Sequence, residues 1–304
     1  MRKTYRIEGD RVVESADRAG PIWIFVNPDE QEKRCLIDEL KVDEHTLASA
    51  LDPDELSRLE FEENHVAIIF KRPRNYSAED QLVFRVSSIG AFLFKDKLAV
   101  VVSEDHPMFE GKMFGRVATL PRVLLRLLYR SIYHYLEHLK VMNLVSDELE
   151  RKINTSMDNR YIINLFALEK SLVYYLNSIT ANGVLIERLK NNAQKMGLTT
   201  EDIELLDDLL IENNQCFKQA EIHSNILASL MDARASIVGN NLNMLMKTLN
   251  IITIGIMVPT LVVSAFSMNV RIPMQTFAHA FWVIMALALI SMAGVFFVWK
   301  RMRW

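Results

Sequence analysis

The sequence predicts an α+β cytoplasmic domain, followed by a stalk of long helices and two transmembrane helices at the C-terminal end. Short β-branched and aromatic runs, separated by turn residues, occupy residues 1–115. Helical patterns without internal proline extend over a much longer stretch after them. Two apolar runs without Asp, Glu, Lys or Arg come last, and each exceeds the roughly 20 residues with which a helix crosses a bilayer.

The N-terminal domain, residues 1–115, is predicted to hold a sheet with few helices. Two short helices are expected over Asp29–Leu40 and Asp43–Leu51. The strands are expected at Ile22–Val26, Val66–Phe70, Val83–Val86, Ile89–Phe94 and Ala99–Val102. The sequence of this region contains no phosphate-binding loop and no catalytic motif, so it predicts a fold but no chemistry.

The middle segment, residues 116–198, changes to helical periodicity. Apolar residues at helical spacing predict two long antiparallel helices, Leu120–Lys152 and Tyr161–Met196. Glycine is a poor helix former, so Gly183 is the weak point of the second helix.

A third helix is expected to form the stalk and the first span within residues 199–269. Thr199 or Thr200 would cap its start, because a threonine hydroxyl accepts a hydrogen bond from the first turn. No proline follows until Pro259. The helix is therefore expected to run to Phe266, a length of about 100 Å at ~1.5 Å per residue.

The two predicted spans are Thr248–Val270 and residues 277–299, joined by a loop at 270–276 and followed by a tail at 300–304. The basic residues are unequally divided between the two sides: Lys247, Lys300, Arg301 and Arg303 on one, and Arg271 on the other. Because positive residues stay inside, both termini are expected in the cytoplasm. The sequence thus predicts a multi-pass protein of the inner (plasma) membrane.

One face of the first span carries polar and thioether side chains at alternating steps of three and four residues. This pattern, the polar stripe, indicates helices that share one supercoil axis. Small and hydroxylated residues also occur where membrane helices simply pack, but a water-accessible path is favoured because the stripe continues back to Asp232. The stripe consists of Asn243, Met246, Asn250, Thr253, Met257, Thr260, Ser264 and Ser267.

The start of the stalk is strongly acidic. Eight acidic residues and one lysine lie between Glu201 and Asp232. Two interpretations have equal weight for Asp207 and Asp208: a divalent-cation site between subunits, since hard cations need several carboxylate oxygens, or a solvated helix face. Asp232 differs because it lies on the stripe, where symmetric copies would form a carboxylate ring that attracts cations.

Composition argues against nucleic-acid binding, and one motif resembles an enzyme's metal site without completing it. A net charge of −3 argues against nucleic acid as a partner, and the sequence indicates no cofactor. The segment His134–His138 matches a metalloprotease pattern, H-x-x-E-H. A third ligand at a suggestive spacing is missing, so the segment is interpreted as a helix surface or helix contact and the protein as no enzyme.

The C-terminal third resembles the CorA family of two-span divalent-cation channels. The resemblance covers residues 120–304 in architecture and 230–304 in motif. It is carried by Asp232, the run Asn240–Lys247, Leu249, Pro259, the segment Phe266–Asn269 and the basic tail Trp299–Trp304. Two residues depart from the family pattern at the mouth of the expected pore, just after the first span. Ser267 replaces the family's glycine, and Arg271 lies where magnesium-transporting members usually carry an acid.

The resemblance implies a homopentameric funnel whose first spans line one pore. It implies a mouth at Ser267, Met268 and Asn269, with the asparagine ring binding a hydrated cation. It implies an apolar constriction at Met246, Leu249 and Met257, with polar rings at Asn243 and Thr260. It also implies a regulatory cation near Asp232.

The sequence therefore predicts a channel or transporter for hydrated divalent cations of the Mg²⁺/Co²⁺ type, gated by intracellular cation. A divalent cation, Mg²⁺ or Zn²⁺, is the expected substrate and a possible regulator. Two alternatives stay open: a zinc or other transition-metal transporter of the ZntB-like branch, and a non-conducting, membrane-anchored oligomeric regulator. The expected partners are copies of the chain, the lipid bilayer and divalent cations.

Overall fold

The computed structural model describes residues 1–15, 20–76, 82–109, 114–115, 117–155, 159–270 and 278–301. The chain forms two compact units, Met1–Met231 and Asp232–Trp304. The first unit contains a sheet and long helices, and the second contains the apolar C-terminal segments.

The first unit is built on a mixed seven-stranded sheet with the order β2-β1-β3-β7-β6-β5-β4. Neighbouring strands are antiparallel, except that β3 and β7 are parallel. The strands are β1 (Arg2–Glu8), β2 (Arg11–Glu14), β3 (Ile22–Val26), β4 (Arg58–Phe61), β5 (His65–Pro73), β6 (Val86–Phe94) and β7 (Leu98–Val102).

Four of these strands, β3, β5, β6 and β7, were predicted from the sequence. The separate strand predicted at Val83–Val86 is wrong: only Val86 is in a strand, and it begins β6 because β5 pairs with β6 continuously from His65↔Phe94 to Pro73↔Val86. The prediction missed β1, β2 and β4, whose side chains are largely charged and partly exposed.

The sheet buries apolar side chains on both faces, in the alternation typical of strands. On β7, Val100 belongs to one core cluster and Val101 to the other. The second face is covered by a turn of π-helix (Cys35–Glu39), which continues the short helix α1 (Glu30–Arg34), and by α2 (Glu44–Leu51). The single helix predicted over Asp29–Leu40 is thus two short elements of different winding.

The first face is covered by α3 (Leu120–Thr155) and α4 (Asn159–Asn191). The sequence predicted both helices, but α4 ends five residues earlier than expected. Gly183 allows a close contact: a Cβ there would lie 2.9 Å from Nδ2 of Asn213, which donates a hydrogen bond to the Ile179 carbonyl at 3.0 Å.

The side-chain amide of Asn182 on α4 bonds the backbone of β5. Its Oδ1 accepts from the Lys71 N–H at 2.9 Å, and its Nδ2 donates to the Lys71 carbonyl at 2.8 Å. The neighbouring strand β4 pairs with β5 only as far as Arg58↔Ile69. Asn182 therefore satisfies backbone groups at the point where the strand partner has ended.

The long helix α5 runs from Thr200 to Phe266, 67 residues, as the sequence predicted. Thr199 caps it: its hydroxyl accepts from the Asp202 N–H at 3.3 Å, while the Asp202 carboxylate accepts from the Thr199 N–H at 3.0 Å. This reciprocal pair is a capping box. The last helix is α6 (Ala280–Arg301), 22 residues.

Candidate functional site

The candidate site lies in the second unit, on the C-terminal part of α5. By length and composition, α5 and α6 are the two candidate membrane spans among the described residues. Their large apolar side chains are exposed in the single chain, for example Leu261 at 70% and Phe297 at 67%. Apolar surface of this extent marks a face that lipid or further protein covers.

Helix α6 covers one side of α5 and leaves the polar stripe uncovered. Ile251 and Val258 are half-buried and line a groove together with Val295 of α6. The α6 side of the contact includes two small residues, Ala288, which is buried, and Ser291, which is half-buried, as is common between membrane helices.

All eight stripe residues are exposed in the single chain: Asn243, Met246, Asn250, Thr253, Met257, Thr260, Ser264 and Ser267. Thr260 and Ser264 border a second groove with Met285 and Ala288 of α6, whereas Asn250 borders the first groove. The stripe therefore borders α6 at two levels along α5, at Asn250 and again at Thr260 and Ser264.

Threonine hydroxyl groups of the stripe donate their hydrogen bonds to backbone carbonyls of their own helix. Thr253 Oγ1 donates to the Leu249 carbonyl at 2.8 Å, and Thr260 Oγ1 donates to the Ile256 carbonyl at 2.7 Å. A hydroxyl carries one donor and two acceptor lone pairs. The hydroxyl oxygens are therefore left as acceptors, which suits the water molecules of a hydrated cation.

The three residues of the predicted constriction are also uncovered in the single chain: Met246 is 55%, Leu249 62% and Met257 63% exposed. Three large apolar side chains on one exposed face can meet only in an assembly of several copies. The structure of one chain thus brings them to one helix surface but does not close a ring.

The predicted mouth directly follows the end of α5. The backbone N–H of Ser267 donates to the Ser264 carbonyl at 3.1 Å, and its hydroxyl donates to the same oxygen at 2.9 Å. Ser267 is not among the described residues with positive φ, so serine adopts this turn without backbone strain. Met268 and Asn269 are exposed. Arg271 and the rest of 271–277, like Arg303, lie outside the described residues.

The acidic residues do not gather into a site within one chain. Asp207 forms an ion pair with Lys190, and Asp208 is exposed. Asp232 is exposed, and its backbone carbonyl accepts from Ser236 Oγ at 3.0 Å. Within the described part of the chain, no three His, Cys, Asp or Glu residues stand close enough to hold a metal ion.

The decoy motif forms a contact between helices. His138 of α3 is buried, with Nδ1 2.7 Å from the Tyr175 hydroxyl of α4. Burial lowers the pKa of His138 to about 4, and burial together with the neighbouring His138 lowers the pKa of His134 to about 3. The prediction of a helix contact is confirmed.

Sequence reasoning missed the α6 residues that border the stripe, Met285 and Ala288. The α6 sequence is apolar on every side, so it offers no periodic signal that would single out a face.

The chain combines a soluble α/β domain, a long helix and two apolar C-terminal helices. This combination defines a class of membrane protein rather than a soluble enzyme. The family model described as CorA-like Mg²⁺ transporter protein matches residues 18–301. The chain therefore belongs to the CorA family, whose members are ion transporters and not enzymes.

Individual relatives agree with this assignment. The chain is similar to the cobalt/magnesium transport protein CorA of Methanocaldococcus jannaschii, with 27% identity over 93% of this chain and 91% of that protein. The complete CorA magnesium transporter structure from the same organism matches 99% of this chain and 96% of its own, with TM-score 0.82 and 22% identity. The ZntB cytoplasmic domain of Vibrio parahaemolyticus matches 78% of this chain and 98% of its own, with TM-score 0.59 and 12% identity.

Proposed function

We propose that the chain transports hydrated divalent cations of the Mg²⁺/Co²⁺ type along the axis of a homopentamer in the inner membrane, with both termini in the cytoplasm. The observation that carries the proposal is the exposed polar stripe on an apolar helix of a CorA family member. Amides, thioethers and hydroxyls on such a helix need partners other than lipid. A shared aqueous path supplies water as that partner.

The chemistry of the stripe favours a cation that keeps its water. No carboxylate occurs from Asn243 to Asn269, although carboxylates are the usual ligands of a dehydrated Mg²⁺ or Ca²⁺. Mg²⁺ also loses its water reluctantly. Oxygen acceptors at Thr253 and Thr260, whose hydrogens are already used, match the outward-pointing hydrogens of a hydrated ion.

Gating is assigned to apolar side chains on the stripe and directly beside it. Rings of Met246, Leu249 and Met257 would interrupt the water column, since apolar constrictions close by dewetting. A cation bound between copies near Asp232 would hold this state by relieving carboxylate repulsion. Asp207 and Asp208 lie more than 20 residues earlier on α5 and are candidate ligands of a separate site. No three such ligands meet within the described part of one chain, so each site needs a second copy.

The test is ion flux into proteoliposomes that contain the purified protein, with Mg²⁺, Co²⁺, Ni²⁺ and Zn²⁺ offered separately. Uptake should disappear in Asn269→Ala, which removes the outer amide ring, and persist in Asn214→Ala. Asn214 is a matched control because it is an exposed asparagine of α5 in the first unit.

The pattern of ions separates the open alternatives. Preference for Zn²⁺ over Mg²⁺ would identify a transition-metal transporter of the same architecture. Lack of uptake of all four ions by a well-formed pentamer would refute the proposal and identify a non-conducting membrane regulator.

A further inference from the structure

A polar cavity of about 140 Å³ lies within the first unit, apart from the polar stripe. It is enclosed by β5, β6, the segment after β7 and α3. The polar side chains in its wall are Arg72, Asn75, His106, Arg130, Ser131, His134 and Glu137. A volume of ~10–15 Å³ accommodates one water molecule, so this cavity has room for a polyatomic ion.

Arg72 lines this cavity with a charge that the described residues leave incompletely paired. It is 4% exposed, its Nε donates to Ser87 Oγ at 3.3 Å, and its buried Nη2 has no hydrogen-bond partner among them. Glu104 acts on Arg72 electrostatically, but it is itself ion-paired with Arg74. Burial lowers the pKa of Arg72 to about 10, so the guanidinium remains protonated at neutral pH.

The rest of the wall adds positive charge and neutral rings. Arg130 supplies a second guanidinium, and none of the ion pairs within the described residues includes it. Burial lowers the pKa of His106 to about 4 and of His134 to about 3, so both rings are neutral at pH 7. Glu137 is the one carboxylate in the described wall. Two guanidiniums thus face one carboxylate.

We propose that this cavity binds a phosphate group between the guanidiniums of Arg72 and Arg130. An anion supplies what the buried Nη2 lacks, because an unpaired buried charge is strongly unfavourable. The guanidinium fork matches the oxygens of phosphate with paired, charge-assisted hydrogen bonds. Ser131 adds a hydroxyl to the wall. This hydroxyl donates its hydrogen bond to the Lys71 carbonyl at 2.5 Å, so its oxygen remains an acceptor only. A metal cation is disfavoured by the two positive charges.

The phosphate group has two possible sources, inorganic phosphate and a nucleotide, and the test distinguishes them. Full-length protein in detergent, with a chelator present, is titrated calorimetrically with inorganic phosphate, ATP or chloride at equal ionic strength. Binding of phosphate identifies a free-anion site. Binding of ATP without binding of phosphate identifies a nucleotide site.

Variants tie the binding to the cavity. Arg130→Gln should weaken binding by about tenfold or more, the usual effect of losing one charge-assisted contact. Arg126→Gln should bind within about twofold of the parent, because Arg126 lies one turn away on α3, is also half-buried and does not line the cavity. Arg72→Gln should abolish binding; if it does not fold, Arg130→Gln decides.

Two outcomes would overturn the assignment. One is that neither phosphate nor ATP binds more tightly than chloride. The other is that Arg126→Gln and Arg130→Gln weaken binding equally. Both readouts are binding measurements on the first unit's cavity, so they are independent of whether the protein conducts cations.

Discussion

Replacing Thr253 by valine tests whether the stripe hydroxyls face a hydrated ion. Valine keeps the β-branched shape and removes one oxygen per copy. The Leu249 carbonyl, which accepts from this hydroxyl at 2.8 Å, keeps its helical hydrogen bond, so the fold should persist. If an ion's water contacts one or two of the symmetric oxygens at ~1 kcal/mol each, flux should fall about 5- to 30-fold.

Thr248 provides a matched control for this experiment. It is also an exposed threonine of α5, and it donates to the Met244 carbonyl at 2.9 Å, but it lies off the stripe. Flux of Mg²⁺ into proteoliposomes should be reduced in Thr253→Val and stay within about twofold of the parent in Thr248→Val. Equal flux in the two variants would refute the idea that the stripe lines the path.

Three further predictions concern stability. Asn182→Ala leaves the buried Lys71 N–H unsatisfied and should reduce the free energy of unfolding by about 2–4 kcal/mol, measured as a lower Tm. Asp202→Asn should make Tm less dependent on pH below about 4. Burial alone would raise the pKa of Asp202, but hydrogen bonds from Arg122 and Thr199 lower it below its usual value. The stability that the ionised carboxylate contributes is therefore lost as pH falls through that pKa. Asp232→Ala should weaken the rise in Tm that added Mg²⁺ produces.

The first of these predictions has a control variant, and the other two have outcomes that would contradict them. Asn192→Ala should change the free energy of unfolding by less than about 0.5 kcal/mol, because Asn192 is only half-buried and its side chain donates a solvent-exposed hydrogen bond to the Arg188 carbonyl in the last turn of α4. Parallel pH curves for the parent and Asp202→Asn would contradict the linkage argument. A Mg²⁺-dependent rise in Tm that is unchanged in Asp232→Ala would remove this residue from the regulatory site.

Local patterns were sufficient to predict much of the fold. Periodicity located α3, α4 and α5, and the apolar run Ile22–Val26 coincides with β3. Strand β1, with the sequence RKTYRIE, is rich in charged residues and resembles an exposed segment. Its pairing with β3 at Arg2↔Phe25 through Tyr5↔Ile22 decides its conformation, and a single sequence does not reveal that partner.

The candidate site was predictable where its signal lies within one helix. The alternating steps of the stripe require only the helical repeat, and all its members are exposed on α5 or, for Ser267, directly after it. The cavity around Arg72 and Arg130 was not predictable, because its wall comes from four segments that are distant in sequence. Whether copies of α5 surround an axis remains a prediction, since that property belongs to the assembly and not to one chain.

The bond between Asn182 and Lys71 also occupies backbone groups of β5 that could otherwise pair with another chain. Strand β5 continues past the end of β4. Without Asn182, the backbone N–H and C=O of β5 at this point would be free to pair with a strand of another chain. Asn182 occupies both groups of Lys71, and a helix side chain cannot propagate a ladder as a strand would. The amide therefore closes the part of β5 that extends past β4, so we expect newly made chains that lack it to associate edge to edge before they reach the membrane.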